Sequence, residues 1–182
     1  MVYVFLADGF EEVEALTPID YMRRAGIEVK TVGVGTTIPT GSHGVKVMTD
    51  ISEDTFYPKE NVEAVVLPGG KVGVQNLSKS ETVRRAIRLG IGETDGIVVA
   101  AICAAPSILA KEGLLKQNKA TCHPTFVQFL GDSYADEDVV LSKPYLTGRA
   151  AGVSNEFALA LVERLRGKEA RDKVAAAVCF NR

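Results

Sequence analysis

Cysteine and histidine are scarce in this 182-residue chain, with three cysteines at 103, 122 and 179 and two histidines at 43 and 123. An odd, scattered set of cysteines argues against a disulfide framework, and no ligand spacing suggests a metal site. Positive charge is not in excess. The 21 Lys and Arg against 23 Asp and Glu give a formal net charge of −2, so no basic field exists to hold nucleic acid or an anionic membrane. No apolar run approaches the roughly 20 residues of a membrane-spanning helix. Motifs are missing as well. Gly33-Val34-Gly35 lacks the third glycine of the dinucleotide fingerprint and runs towards Pro39 rather than into a helix. Neither a GxxxxGK[ST] phosphate loop nor a GxSxG serine elbow occurs. The start, Val2-Tyr3-Val4-Phe5-Leu6-Ala7, carries no basic flank or cleavage site of a signal peptide. These absences lead us to expect one domain over residues 1–182 in the reducing cytoplasm, without metal or cofactor.

Apolar, β-branched runs alternate with amphipathic segments. Strands are predicted at Val2–Ala7, Ile27–Val34, Ala64–Leu67 and Gly96–Ala101, with shorter extended pieces near Lys119–Cys122, Val139–Leu141 and Tyr145–Thr147. Helices are predicted over Glu11–Ala25, Glu81–Leu89, Ala104–Lys111 and Asn155–Leu165, with a last helical segment after Gly167. Pro39, Gly41 and Gly44 suggest a small hairpin over Thr36–Met48. Strands apolar on both faces and separated by helices imply an α/β fold, a doubly wound, mostly parallel sheet covered on both sides. In such a sheet, ligands bind beyond the carboxyl ends of the strands. Three tight turns fall there: Asp8-Gly9-Phe10, Pro68-Gly69-Gly70, and the turn around Cys103.

The third turn carries the strongest chemical signal. In Ala100-Ala101-Ile102-Cys103-Ala104-Ala105-Pro106-Ser107 a cysteine sits between a buried strand and a helix start, flanked by small residues. Free backbone N–H groups and a helix dipole there favour the nucleophilic thiolate. A free cysteine is also commonly just a small buried hydrophobe. The N–H groups of Gly70 and Ala104 can form an oxyanion hole beside it, while Gly69-Gly70 without the cysteine would read as an ordinary turn. Glu11 and Glu12 read as solvated charge at a helix start. Glu14 lies one turn on, where the helix faces protein, and a poorly solvated carboxyl there has a raised pKa and can shuttle a proton. Most glutamates are nevertheless surface charges. His123, in Thr121-Cys122-His123-Pro124-Thr125, can serve as a base across the site or lie on the surface, and His43 has no evident partner.

With these residues in view, the sequence resembles the DJ-one branch of the ThiJ/PfpI superfamily nearly end to end. The resemblance rests on Asp8-Gly9-Phe10-Glu11-Glu12-Val13-Glu14-Ala15, Met22-Arg23-Arg24-Ala25-Gly26-Ile27 and Val65-Val66-Leu67-Pro68-Gly69-Gly70. It extends through Gln75-Asn76-Leu77, Ala100 to Pro106, Thr121-Cys122-His123-Pro124 and Asn155 to Glu163. It implies a flavodoxin-like homodimer with Cys103 as a strained, easily oxidised nucleophile and Glu14 as the buried protonated glutamate beside it. By the same resemblance, Gly70 and Ala104 are the backbone donors and His123 is the nearby histidine. The activity implied is glyoxalase III or deglycase chemistry on methylglyoxal-type 2-oxoaldehydes or their early glycation adducts. The alternative it implies is a non-enzymatic redox-sensing or chaperone-like role. Three features depart from the pattern. Ala104 stands where the protease branches carry a histidine, which argues against a peptidase. Arg149-Ala150-Ala151-Gly152 replaces an Arg-Gly-Pro-Gly turn, and Cys122 is an added cysteine.

Overall fold

The computed structural model describes residues 1–58, 61–90 and 96–180. It opens with β1 (Val2–Ala7), buried along its whole length. Side chains alternate across a strand, so Tyr3, Phe5 and Ala7 enter one core while Val2, Val4 and Leu6 enter the other. This is the two-sided burial that an uninterrupted apolar strand requires. The chain continues through α1 (Glu12–Arg24), β2 (Val29–Val34), β3 (Ile51–Ser52), β4 (Ala64–Leu67), α2 (Lys71–Leu77), α3 (Glu81–Ile87) and β5 (Val98–Ile102). It closes with α4 (Pro106–Lys111), α5 (Val127–Leu130), β6 (Val139–Ser142), β7 (Tyr145–Gly148), α6 (Ser154–Arg166) and α7 (Lys168–Ala177).

The strands form one seven-stranded sheet in the order β3-β2-β1-β4-β5-β7-β6. Every pairing is parallel except β6 with β7. On one face, Val74 and Leu77 of α2, Val83 and Ile87 of α3, and Ile108 and Leu109 of α4 cover Phe5 and Leu67. On the other, Ala15, Ile19 and Met22 of α1 and Phe157 and Leu161 of α6 cover Val4 and Val66. The sheet is thus a flavodoxin-like α/β sandwich. Because β2 and β4 flank β1 on opposite sides, the connections diverge at β1 and open a crevice beyond its carboxyl end. The turns after β1, β4 and β5 meet there.

Several local expectations need correction. Thr36–Met48, by contrast, folds back as the small antiparallel hairpin expected: Thr40 bridges Lys46, and the N–H groups of Gly41, Val47 and Thr49 donate to the carbonyls of Val45, Pro39 and Thr37 at 2.8, 3.1 and 2.9 Å. The hairpin is tied to α1 by Glu12, whose carboxylate accepts from the backbone N–H of His43 at 2.7 Å and lies 3.0 Å from its ring Nδ1. Burial opposes charge on Glu12, but these hydrogen bonds outweigh it and hold the carboxyl at about 2. Glu12 is therefore a buried anchor rather than solvated helix-start charge. Lys119–Cys122 contributes a single bridge, Ala120 to Tyr134, rather than a strand. Helix α2 was not evident in the sequence.

Candidate active site

Cys103 follows the end of β5 and has a left-handed backbone, φ 64°. That conformation costs a residue with a Cβ about 1–2 kcal/mol. Two hydrogen bonds fix it: the Cys103 N–H donates to the Gly148 carbonyl at 2.9 Å, and the His123 N–H donates to the Cys103 carbonyl at 2.9 Å. The elbow is thereby tied to β7 on one side and to the segment before α5 on the other. The half-buried sulfur faces the backbone N–H groups of Gly70 and Ala104, both of which hydrogen-bond to it. Gly70 provides its N–H from a backbone at φ 89°, and a Cβ there would strike the Gly9 carbonyl. Gly69 must also be glycine, because a Cβ would collide with the Glu14 carboxylate and with the Cys103 side chain.

Glu14, 1% exposed, projects from the first turn of α1 into this crevice and hydrogen-bonds to the Cys103 thiol. Its Oε2 accepts from the Gly69 N–H at 2.9 Å, and the Ala151 N–H also points to the carboxyl. Burial is the dominant influence and pushes Glu14 up to about 7, against the hydrogen bonds from Cys103 and Gly69. The expectation that turn geometry alone yields a thiolate is corrected. Burial first, then the charge of Glu14 and its hydrogen bond, push the Cys103 thiol up to about 12, despite the opposing Gly70 and Ala104 N–H groups. The two groups titrate together. After the first proton leaves, near pH 7, one proton remains for two sites: carboxylate with thiol, or carboxylic acid with thiolate. The second arrangement removes the charge that opposes the thiolate and leaves the sulfur facing two N–H donors.

His123 is brought to the elbow by its backbone, while its ring turns towards Thr125. Nδ1 accepts from the Thr125 N–H at 3.3 Å and lies 2.8 Å from its Oγ1. The neutral ring therefore carries its proton on Nε2. Nδ1 is thus committed to Thr125, which leaves Nε2 as the free ring nitrogen. The adjacent Cys122 is fully buried, and burial pushes its thiol up to about 11, whereas Cys179 is exposed on the tail of α7. Sequence reasoning missed the Gly69, Ala151 and Thr125 N–H contacts, which are backbone contributions with no side-chain signature. Among the described residues, one group, Glu11, Glu12 and His43, has potential metal-ligand atoms within 4.8 Å of one another. Its atoms already hydrogen-bond to one another and to Ser42.

Known proteins resemble this chain over most of its length. The model of the DJ-1/PfpI family matches residues 1–164. The chain belongs to the DJ-1/PfpI family. The Parkinson disease protein 7 homolog of Danio rerio is 36% identical over 178 residues, 95% of this chain and 93% of that protein. The crystal structure of Drosophila melanogaster DJ-1beta superposes with a TM-score of 0.91 at 34% identity, covering 100% of this chain and 98% of the other. A Caenorhabditis elegans relative, 27% identical over 173 residues (93% of this chain, 90% of that protein), is named glutathione-independent glyoxalase DJR-1.2.

The shared proton gives a pH prediction for this DJ-1/PfpI protein. The alkylation rate of Cys103 by iodoacetamide should rise with an inflection near pH 7, set by Glu14. In Glu14→Gln no carboxyl can take the proton, and the inflection should move to or beyond the ordinary thiol value of about 8.5. Stability tests the same shift. A folded-state pKa raised from 4.5 to about 7 stabilises fully below 4.5, and the effect is lost as pH rises through about 7. Urea denaturation should show wild type losing on the order of 3 kcal/mol relative to Glu14→Gln across that window. Parallel pH profiles would show that Glu14 does not share the proton.

Proposed function

We propose that this protein is a cofactor-free glyoxalase III or deglycase that converts methylglyoxal-type 2-oxoaldehydes, or their early adducts, into 2-hydroxy acids. The observation that carries this reading is the Glu14–Cys103 pair in front of the Gly70 and Ala104 N–H groups. The thiolate adds to the aldehyde carbon, and the resulting oxyanion is held by the two N–H groups and takes the proton from Glu14. Glu14, now a carboxylate with a pKa near 7, removes the hydrogen on the former aldehyde carbon as a proton. The electron pair of that C–H bond forms an enediol, with the ketone oxygen protonated by His123 Nε2–H. Glu14 returns its proton to the former ketone carbon while the hydroxyl on the former aldehyde carbon gives its proton back to His123 Nε2; the resulting 2-hydroxy thioester is cleaved by water to the acid and the thiol. The aldehyde carbon is oxidised and the ketone carbon reduced, so no external electron carrier is required. The small walls at Gly69, Gly70, Ala104 and Ala105 suit a short dicarbonyl. The C. elegans relative's name supports the same chemistry.

The same reading includes a homodimer in the reducing cytoplasm. No helix among the described residues is long and apolar enough to cross a membrane, and all three cysteines are free. Helix α1 exposes Val13 and Leu16, and the 36–50 segment that Glu12 ties to it exposes Val45 and Met48, the last at 79%. An apolar surface of this kind favours burial against a second copy.

Purified protein should consume methylglyoxal and release lactate, with Cys103→Ser at background. The lactate must be measured directly, because a thiol also traps aldehydes reversibly. Loss of methylglyoxal without lactate would reject the enzyme reading and favour redox sensing. Sedimentation equilibrium should report a dimer that Val45→Asp with Met48→Asp dissociates; a wild-type monomer would refute the assembly.

A further inference from the structure

A cavity of about 470 Å³ lies between α2, α4 and the segment following His123. Its lining includes residues that neighbour the candidate site in sequence, Lys71, Ser107 and Thr125. Lys71 directly follows Gly70. The Ser107 hydroxyl donates to the Ala104 carbonyl at 2.7 Å, and the Thr125 hydroxyl is 2.8 Å from His123 Nδ1. Lys111 lies one helical turn, about 6 Å, beyond Ser107 along α4. Phe126 and Phe129 form its apolar side. The Lys111 ammonium sits 4.9 Å from the Phe129 ring centroid, a cation–π contact that fixes it at the rim.

The charge here is of one sign. The lining holds Lys71 and Lys111 and no Asp or Glu, and neither lysine has a carboxylate partner among the described residues. Two ammonium groups beside an aromatic wall are complementary to an anion on an apolar stem. None of the chemistry at Cys103 uses them.

We propose that this groove is an anion-binding arm of the active site, selecting 2-oxoaldehydes that carry a carboxylate on a short apolar stem. The inference rests on the 2-oxoaldehyde reading of Cys103 and deepens it to a substrate class. For the probe 4,5-dioxopentanoate, addition of one water gives 2-hydroxyglutarate. The terminal aldehyde carbon is oxidised to the acid, the adjacent ketone carbon is reduced, and the distant carboxylate is unchanged.

The test compares wild type with the double variant Lys71→Gln, Lys111→Gln, which alters exposed side chains and whose folding is checked by thermal unfolding. The ratio of kcat/KM for 4,5-dioxopentanoate to that for methylglyoxal should fall about fivefold in the variant, the scale of partly solvated ion pairs. Calorimetric titration with 2-hydroxyglutarate reads the groove without turnover, and its dissociation constant should rise by a similar factor, with the difference shrinking in high salt. An unchanged ratio together with an unchanged dissociation constant overturns the proposal. If wild type makes no hydroxy acid from either substrate, the 2-oxoaldehyde reading fails. The groove is then decided by the calorimetry alone: weaker binding in the variant supports an anion site, and equal or absent binding rejects it.

Discussion

The left-handed backbone at Cys103 is the constraint on which the rest of the site depends. At φ 64° the chain turns sharply enough to leave β5 and enter α4 within a few residues, and that turn aims the sulfur back over the sheet edge. The strain persists because the Cys103 N–H and carbonyl are both committed, to Gly148 and to the His123 N–H. Strain of this kind survives only where its surroundings over-determine it. The small residues on either side follow from the same constraint: Gly69 lies against both the Cys103 side chain and the Glu14 carboxylate, where a Cβ would collide.

Geometry alone does not make the sulfur reactive. Its surroundings are dry enough to push the thiol well up, and a neighbouring carboxylate adds to the cost. The same dryness raises Glu14 to about 7. Burial thus raises both groups, and the Gly70 and Ala104 N–H groups are the two influences that favour charge on the sulfur. A carboxyl near neutrality also suits repeated proton transfer. One environment therefore accounts for both a usable nucleophile and a usable acid–base group.

The layered fold was legible in the sequence because β1, β4 and β5 are apolar on both faces, which only a covered parallel sheet tolerates. The turn after β5 was legible for a related reason: a cysteine between alanines at a strand-to-helix junction has few structural uses. Other features were not. Helix α2 is short and interrupted by Gly73, so its periodicity is weak. The hairpin over 36–48 was legible from its turn residues, but its anchor, the distant Glu12, was not. The donors from Gly69 and Ala151 are main-chain groups that only the assembled fold brings to Glu14. The direction of the Cys103 shift likewise depends on burial and on a neighbour 89 positions away in the chain.

The central claim is that Glu14 and Cys103 form one buried titrating pair in which burial raises Glu14 to about 7. Infrared difference spectroscopy of wild type against Cys103→Ser, with ¹³C-labelled glutamate, reads this directly. Wild type should show the carbonyl stretch of a protonated Glu14 at pH 5 to 6, giving way to carboxylate bands as pH rises through about 7. Carboxylate bands of Glu14 already fully developed at pH 5 would contradict the account.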